Sequence, residues 1–138
     1  MANKLVLVGK AASGKDHLRK RLMDKGLTYG VSHTTRPPRE GEVNGQDYHF
    51  VTEEEFLNII NQGDMVEYQQ FIGWYYGMAK WEWDKADVII LNAEALEQLT
   101  PEIRNECTVI YLDIPIEVRE QRMLERNDSN DSHLRRLL

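Results

Sequence analysis

The chain has 138 residues, 41% of them hydrophobic and 29% charged, with a formal net charge of −6. That length holds one modest core rather than two, and the acidic balance argues against a domain that grips nucleic acid over a broad face. No charged-then-apolar leader and no apolar run of about eighteen residues is present, so neither a signal peptide nor a membrane span is expected. The single cysteine, Cys107, cannot make an intrachain disulfide and reads as a buried, inert thiol, which fits an intracellular, cytoplasmic protein. Charge is unevenly spread: residues 1–39 hold nine Lys or Arg against Asp16 and Asp24 (9 − 2 = +7), and residues 40–138 hold eight basic against twenty-one acidic (8 − 21 = −13). A basic stretch on an acidic protein suits a small polyanion better than a long one.

In chain order, Lys4-Leu5-Val6-Leu7-Val8 is a short apolar run ending at Gly9, the pattern of a strand feeding a tight turn. From Gly14 to Lys25, Leu18 and Leu22 recur at helical spacing and Gly26 supplies a stop, so a helix is expected. Between them lies Gly9-Lys10-Ala11-Ala12-Ser13-Gly14-Lys15, a G-x-x-x-x-G-K arrangement in its strand-to-helix context. Glycines there let successive backbone N–H groups of Gly9, Ala11, Ala12, Ser13 and Gly14 face phosphate oxygens, and the helix N-terminus and Lys15 add positive charge. The residue after the lysine is ordinarily a hydroxyl ligand of Mg²⁺; here it is Asp16, followed by His17. A carboxylate is a hard oxygen ligand, so Asp16 is a candidate for Mg²⁺, at the cost of negative charge beside the phosphates.

Tyr29 to His33 reads as a strand, and residues 34–47, with Pro37, Pro38, Gly41 and Gly45, as a loop. Tyr48 to Val51 is a second short strand, and Thr52-Glu53-Glu54-Glu55 spells a capping box. The helix from 53 carries Phe56, Ile59 and Ile60 on one face and stops at Gly63. Met65–Phe71 and Tyr75–Met78 flank Ile72-Gly73-Trp74 as an antiparallel hairpin, and the aromatic density around it reads as core. Val88–Leu91 and Thr108–Leu112 are unbroken apolar runs, the pattern of parallel strands buried on both faces, each followed by a helix-like segment. Residues 116–126 continue with helical spacing after Pro115, and a polar stretch over 127–132 precedes the final residues. Arg36 and Arg39, three apart on a proline-bound loop, offer two guanidinium forks to an acceptor phosphate. No internal repeat is present.

The run Val31-Ser32-His33-Thr34-Thr35-Arg36-Pro37-Pro38-Arg39-Glu40-Gly41-Glu42-Val43-Asn44-Gly45-Gln46-Asp47-Tyr48-His49-Phe50-Val51 closely resembles the guanylate kinase family. With Glu67 and Gly73-Trp74-Tyr75-Tyr76-Gly77 at similar spacing, the resemblance covers nearly the whole chain. It implies an α/β, P-loop NTPase-type three-layer fold with a parallel core sheet, a small mixed α/β NMP-binding region and a helical lid. Within one domain over 1–138, the core falls at 1–31 and 86–121, the NMP-binding region at 32–85 and the lid at 122–138. It also implies transfer of a phosphoryl group from ATP, with Mg²⁺, to GMP or dGMP. Nucleic acid and membrane are not expected partners.

By the same resemblance, Ser32, Arg36, Arg39, Glu42, Tyr48, Glu67, Tyr76, Met78 and Glu94 match acceptor-site positions. Glu67 and Ser32 would read guanine: its N1–H and N2–H donors suit one carboxylate, whereas adenine presents a lone pair there. Met78 stands where the family often has a hydroxyl. Arg122, Arg126 and Arg136 match arginines that close over the phosphates beside Lys15. Asn92 and Glu94 fall where the family carries acidic residues near the metal and the acceptor; Glu94 can play that role, whereas Asn92 keeps the hydrogen bonding and loses the charge. Relatives continue past the lid with further elements that help hold adenine. A minimal member that fills the gap by another means, such as a homodimer, and a shortened copy both remain open. Two rivals stand beside the GMP reading: a nucleoside monophosphate kinase of other base specificity, and a non-catalytic guanylate-kinase-like binding module, against which the retained phosphate loop argues.

Overall fold

The computed structural model of the protein describes residues 3–9 and 15–112. The expectations placed on 10–14 and 113–138, and those on the side chains of Lys15 and Asp16, lie outside what is described.

Two sheets organise the described residues. β1 (Lys4–Gly9), β6 (Val88–Leu91) and β7 (Cys107–Leu112) form a three-stranded parallel sheet in the order β6-β1-β7. β1 is central because Val6, Leu7 and Val8 are all buried, as a strand covered on both faces requires. β2 (His33–Thr34), β3 (His49–Phe50), β4 (Met65–Phe71) and β5 (Trp74–Ala79) form a mixed sheet in the order β3-β2-β5-β4. There β2 runs parallel to β3, and β5 runs antiparallel to both neighbours.

The helices follow local chemistry. α1 (Lys15–Asp24) ends before Gly26, whose positive φ only glycine adopts freely. α2 (Glu53–Asn61) opens with the expected capping box: Thr52 accepts from the Glu55 N–H, and Glu55 accepts from the Thr52 N–H. α3 (Lys80–Lys85), absent from the sequence expectations, begins directly where β5 ends. Trp83 drives it, entering the core beside Met78, Ala86 and Ile89. Lys4 Nζ then satisfies the Trp83 and Ala86 carbonyls at 2.6 and 2.8 Å. α4 (Ala93–Gln98) follows β6, and the short α5 (Pro101–Arg104) follows Thr100, which caps it.

Five expectations shift. Tyr29–His33 is not one strand: Tyr29 makes a single parallel bridge to Val88, and regular pairing begins only at His33. The chain leaves one sheet for the other here, and the Val31 N–H turns to the buried Glu82 carboxylate instead of a ladder partner. The hairpin turn is the two-residue Ile72-Gly73, both at positive φ, and Trp74 already belongs to β5. The aromatic residues are not all core: Trp83 is buried, whereas Tyr68, Trp74 and Trp81 are exposed. Among the described residues β7 is an edge strand, not one buried on both faces; its Tyr111 is exposed. Cys107 is half-buried, donates to the Ile103 carbonyl at 3.3 Å, and is made a weaker acid by that burial.

The sheets meet through α4. Gln98 bonds both backbone groups of Tyr68 on β4, accepting from its N–H at 3.0 Å and donating to its carbonyl at 2.7 Å. On β5, Gly77 is irreplaceable on packing grounds. A Cβ there would lie 2.8 Å from the Glu67 carbonyl, 2.9 Å from Tyr68 Cβ and 3.0 Å from Phe56 Cζ. Backbone and an aromatic ring cannot yield cheaply, so Gly77→Ala should lower stability by about 1–3 kcal/mol. A drop in the urea midpoint without a change in its slope would register this; an unchanged midpoint would contradict the packing described.

Candidate functional site

The loop between β2 and β3 contains few regular elements but is heavily bonded. Val43 N–H donates to Asp47 Oδ2 at 2.7 Å, Phe50 N–H to Asn44 Oδ1 at 3.0 Å, and Glu42 N–H to the Arg39 carbonyl at 3.0 Å. Its centre is Arg36, which is 7% exposed. Arg36 Nη1 and Nη2 donate to the two Glu42 oxygens at 2.9 and 3.0 Å, and Nη1 donates also to the Pro37 carbonyl at 3.0 Å. The guanidinium lies 5.2 Å from the centre of the Tyr48 ring, and Tyr48 meets Tyr76 edge-on at 6.1 Å. Burial opposes both charges, but the hydrogen bonds and charge of the partner outweigh it. Arg36 is therefore held above its ordinary range and Glu42 below its own. Glu42 also accepts from the Arg39 N–H at 2.6 Å.

A guanidinium has five N–H groups in a fixed plane. Glu42 and Pro37 engage three of Arg36's. The other two, on Nε and Nη2, point the same way and make a second fork, whose Nε is buried without a partner. The expectation that Arg36 offers its fork outward is thus refined: the end-on fork is spent on Glu42, and the side-on fork is left.

The mixed sheet presents the remaining expected residues on one face. Cross-strand pairs share a face, and Glu67 pairs with Met78, Gln69 with Tyr76, and Thr34 with Tyr76. Glu67, which the family resemblance gave as a reader of guanine, is only 4% exposed, and its Oε2 has no partner. Burial raises its pKa to about 7, moderated by the Met78 backbone N–H. Met78 is fully buried and joins the core with Val8, Leu91 and Ala95. Ser32 is half-buried, and its carbonyl accepts from the His49 N–H at 2.9 Å.

Other expected residues lie apart or elsewhere. Gly9 ends β1. His17 and Glu94 are exposed on the first turns of α1 and α4. Asn92 caps α4: its Oδ1 accepts from the Ala95 N–H at 2.9 Å and from Gln69 Nε2 at 3.0 Å. Lys10 to Gly14, the side chains of Lys15 and Asp16, and Arg122, Arg126 and Arg136 are outside the described residues. Among the described residues no group of three His, Cys, Asp or Glu is arranged to hold a metal ion, and no helix is long and apolar enough to cross a membrane.

Sequence reasoning missed Glu82. It is 2% exposed and accepts from the Val31 N–H at 3.0 Å, from Lys85 at 3.0 Å and from His49 at 3.0 Å. Burial works against its charge, and these donors more than offset it, so its pKa falls below the ordinary value. It ties the chain just before Ser32 to β3 and α3. The signal available was only a Glu between two tryptophans. His33 packs against His49 with centroids 4.6 Å apart and the rings tilted by 38°; burial first, and His49 second, lower its pKa to about 4.

A parallel sheet whose β1 ends at Gly9, the first glycine of the G-x-x-x-x-G-K sequence, with α1 starting at Lys15 and an arginine-bearing loop and a carboxylate-bearing sheet alongside, defines the class of P-loop nucleotide-binding α/β proteins. The guanylate kinase family model matches residues 1–136. The guanylate kinase of Ruegeria sp. is 35% identical over 137 residues, covering 93% of this chain and 63% of that protein. The human guanylate kinase is 34% identical over 146 residues, covering 94% of this chain and 71% of that protein. The crystal structure of guanylate kinase from Anaplasma phagocytophilum superposes with a TM-score of 0.69 at 27% identity, covering 90% of this chain and 67% of the other. The chain belongs to the guanylate kinase family, and it spans somewhat less than two thirds of the Ruegeria relative.

The buried Glu67 makes stability depend on pH. Its folded pKa, about 7 against an ordinary 4.5, means that the folded state binds the proton more tightly. Stability is therefore highest below about pH 4.5 and falls as pH rises to about 7, by on the order of 3 kcal/mol. His33 acts oppositely: with a folded pKa of about 4 against 6.5, it costs stability as pH falls through that window. Urea unfolding of wild type and Glu67→Gln separates them. The variant should gain stability relative to wild type as pH rises and level off above about pH 7; a constant difference would show that Glu67 ionises normally.

Proposed function

We propose that the protein transfers a phosphoryl group from ATP to GMP or dGMP, giving ADP and the diphosphate. One observation carries the reading: two buried, unpartnered groups of opposite character, Arg36 Nε–H and Glu67 Oε2, stand on the same mixed sheet and its loop. A nucleoside monophosphate supplies what each lacks. Its phosphate takes the side-on fork of Arg36, with Arg39, Tyr48 and Tyr76 around it, and guanine's N1–H and N2–H meet the Glu67 carboxylate. Adenine would leave that carboxylate buried against a lone pair, which supports discrimination of roughly 10⁴-fold. Glu42 is then a positioning residue, fixing the Arg36 plane, and Ser32 borders the base.

The donor side rests on the loop from Gly9 to Lys15, with Lys15 on the phosphates and Asp16 and His17 beside them. Asp16 offers Mg²⁺ a hard oxygen ligand; when bound, the ion neutralises charge on the phosphates of ATP. Phosphoryl transfer asks the protein chiefly for alignment and positive charge, and Arg122, Arg126 and Arg136 from a lid over 122–138 would supply the charge. The division into a core at 1–31 and 86–121 and an acceptor region at 32–85 belongs to the same reading. Asn92 Oδ1 is engaged in capping α4 and in the contact with Gln69, and Glu94, exposed on the first turn of α4, is the acidic residue that this reading assigns to the acceptor site.

The test is a coupled assay of ADP release with Mg·ATP across the monophosphates. GMP turnover without AMP turnover is expected; equal use of both would sink the base assignment. Arg36→Lys keeps the charge and loses the fork, so the KM for GMP should rise at least about 10-fold.

A further inference from the structure

Gln69 is a polar residue on the acceptor face to which the reading above gives no role. Its amide orientation is fixed by logic internal to the structure. Asn92 Oδ1 accepts from the Ala95 N–H, so that atom is an oxygen. The atom of Gln69 that meets it at 3.0 Å must therefore be the donor Nε2. The other atom, Oε1, is then a pure acceptor, and it is buried with no partner. The side chain is held from one side by a helix cap, and Gln69 shares the face of β4 that carries Glu67.

Its place on the sheet says what it would accept from. Along β4 and β5, the pair Glu67–Met78 is at the base end, and the next same-face pair is Gln69–Tyr76. Two residues along a strand span about 7 Å, close to the distance from the base edge of a nucleotide to its sugar. Tyr76 in turn touches Tyr48, which lies against Arg36 at the phosphate end. Gln69 thus stands between base and phosphate. A neutral acceptor there matches neither a phosphate oxygen nor the base donors already assigned to Glu67; it matches an O–H.

We propose that Gln69 Oε1 accepts a hydrogen bond from a hydroxyl of the acceptor nucleotide's sugar, 2′ or 3′, and so sets sugar selectivity at this site. The proposal rests on the assignment of Glu67 to the base and Arg36 to the phosphate. A buried acceptor left without its donor is penalised more than the mean hydrogen bond is worth, so removal of that hydroxyl should weaken binding at least about 10-fold.

Calorimetry on the full chain with GMP, its 2′-deoxy, 3′-deoxy and 2′,3′-dideoxy forms, and AMP tests this without any variant. The dideoxy form should bind at least about 10-fold more weakly than GMP, and the single deoxy form that reproduces the loss identifies the hydroxyl. In Gln69→Leu, which leaves the Asn92 cap its Ala95 donor, GMP and the dideoxy form should bind alike. If wild type binds GMP and the dideoxy form equally while rejecting AMP, the role of Gln69 is overturned and the base assignment stands. If Gln69→Leu keeps the full preference for the hydroxyl, another group reads the sugar and the proposal falls. If no guanine nucleotide binds at all, the acceptor-site assignment itself fails, and the role of Gln69 with it.

Discussion

A charge taken out of water must be met by a partner, and among the described residues three are buried with unequal provision. Arg36 has Glu42 across two hydrogen bonds, and Glu82 has a backbone N–H, a lysine and a histidine. Such groups are tolerable because each lost water is replaced. Glu67 has the same degree of burial and lacks an equivalent set. Among the described residues, Glu67 Oε2 and Gln69 Oε1 on the mixed sheet and Arg36 Nε on its loop are three of the buried polar atoms left without a partner. Sites that recognise polar ligands are built this way, with the desolvation cost carried by the empty protein and recovered on binding.

The paired charges serve the unpaired one. Glu82 anchors Val31 where the chain passes from the parallel sheet to the mixed sheet, so the following residues start from a fixed point. Glu42 locks Arg36 in plane, and the aromatic contacts of Tyr48 with Tyr76 carry that position to β5. Gln69 and Asn92 then connect β4 to the end of β6, which pairs with β1 at Val8–Leu91, one residue before the phosphate-loop glycine. The mixed sheet is thereby joined to the strand that pairs with β1.

The parallel strands, α1, the capping box of α2 and the hairpin were legible because each depends on neighbours in sequence: an apolar run, a Thr three residues before a Glu, a glycine stop. What depends on distant partners was not. α3 exists because Trp83 reaches the core and Lys4, far away in sequence, satisfies its end. The strand expected at Tyr29 breaks because Glu82 takes the Val31 N–H. Arg36 and Arg39 were readable from residue type and proline context. Glu67 came only through family resemblance, since a single glutamate in a strand carries no mark of burial. The orientation of Gln69 is a property of a three-body contact, which no local pattern encodes.

The clasp between Gln98 and Tyr68 has a consequence for how copies of the chain behave toward one another. Among the described residues β4 is the outermost strand on its side of the mixed sheet. Exposed strand margins invite pairing with another chain and lead to aggregation. A glutamine amide carries the same donor and acceptor as a peptide group, and Gln98 offers both to Tyr68, imitating one residue of an added strand. An arriving backbone finds that position already filled, so one side chain interrupts the seven-residue margin of β4 near its middle.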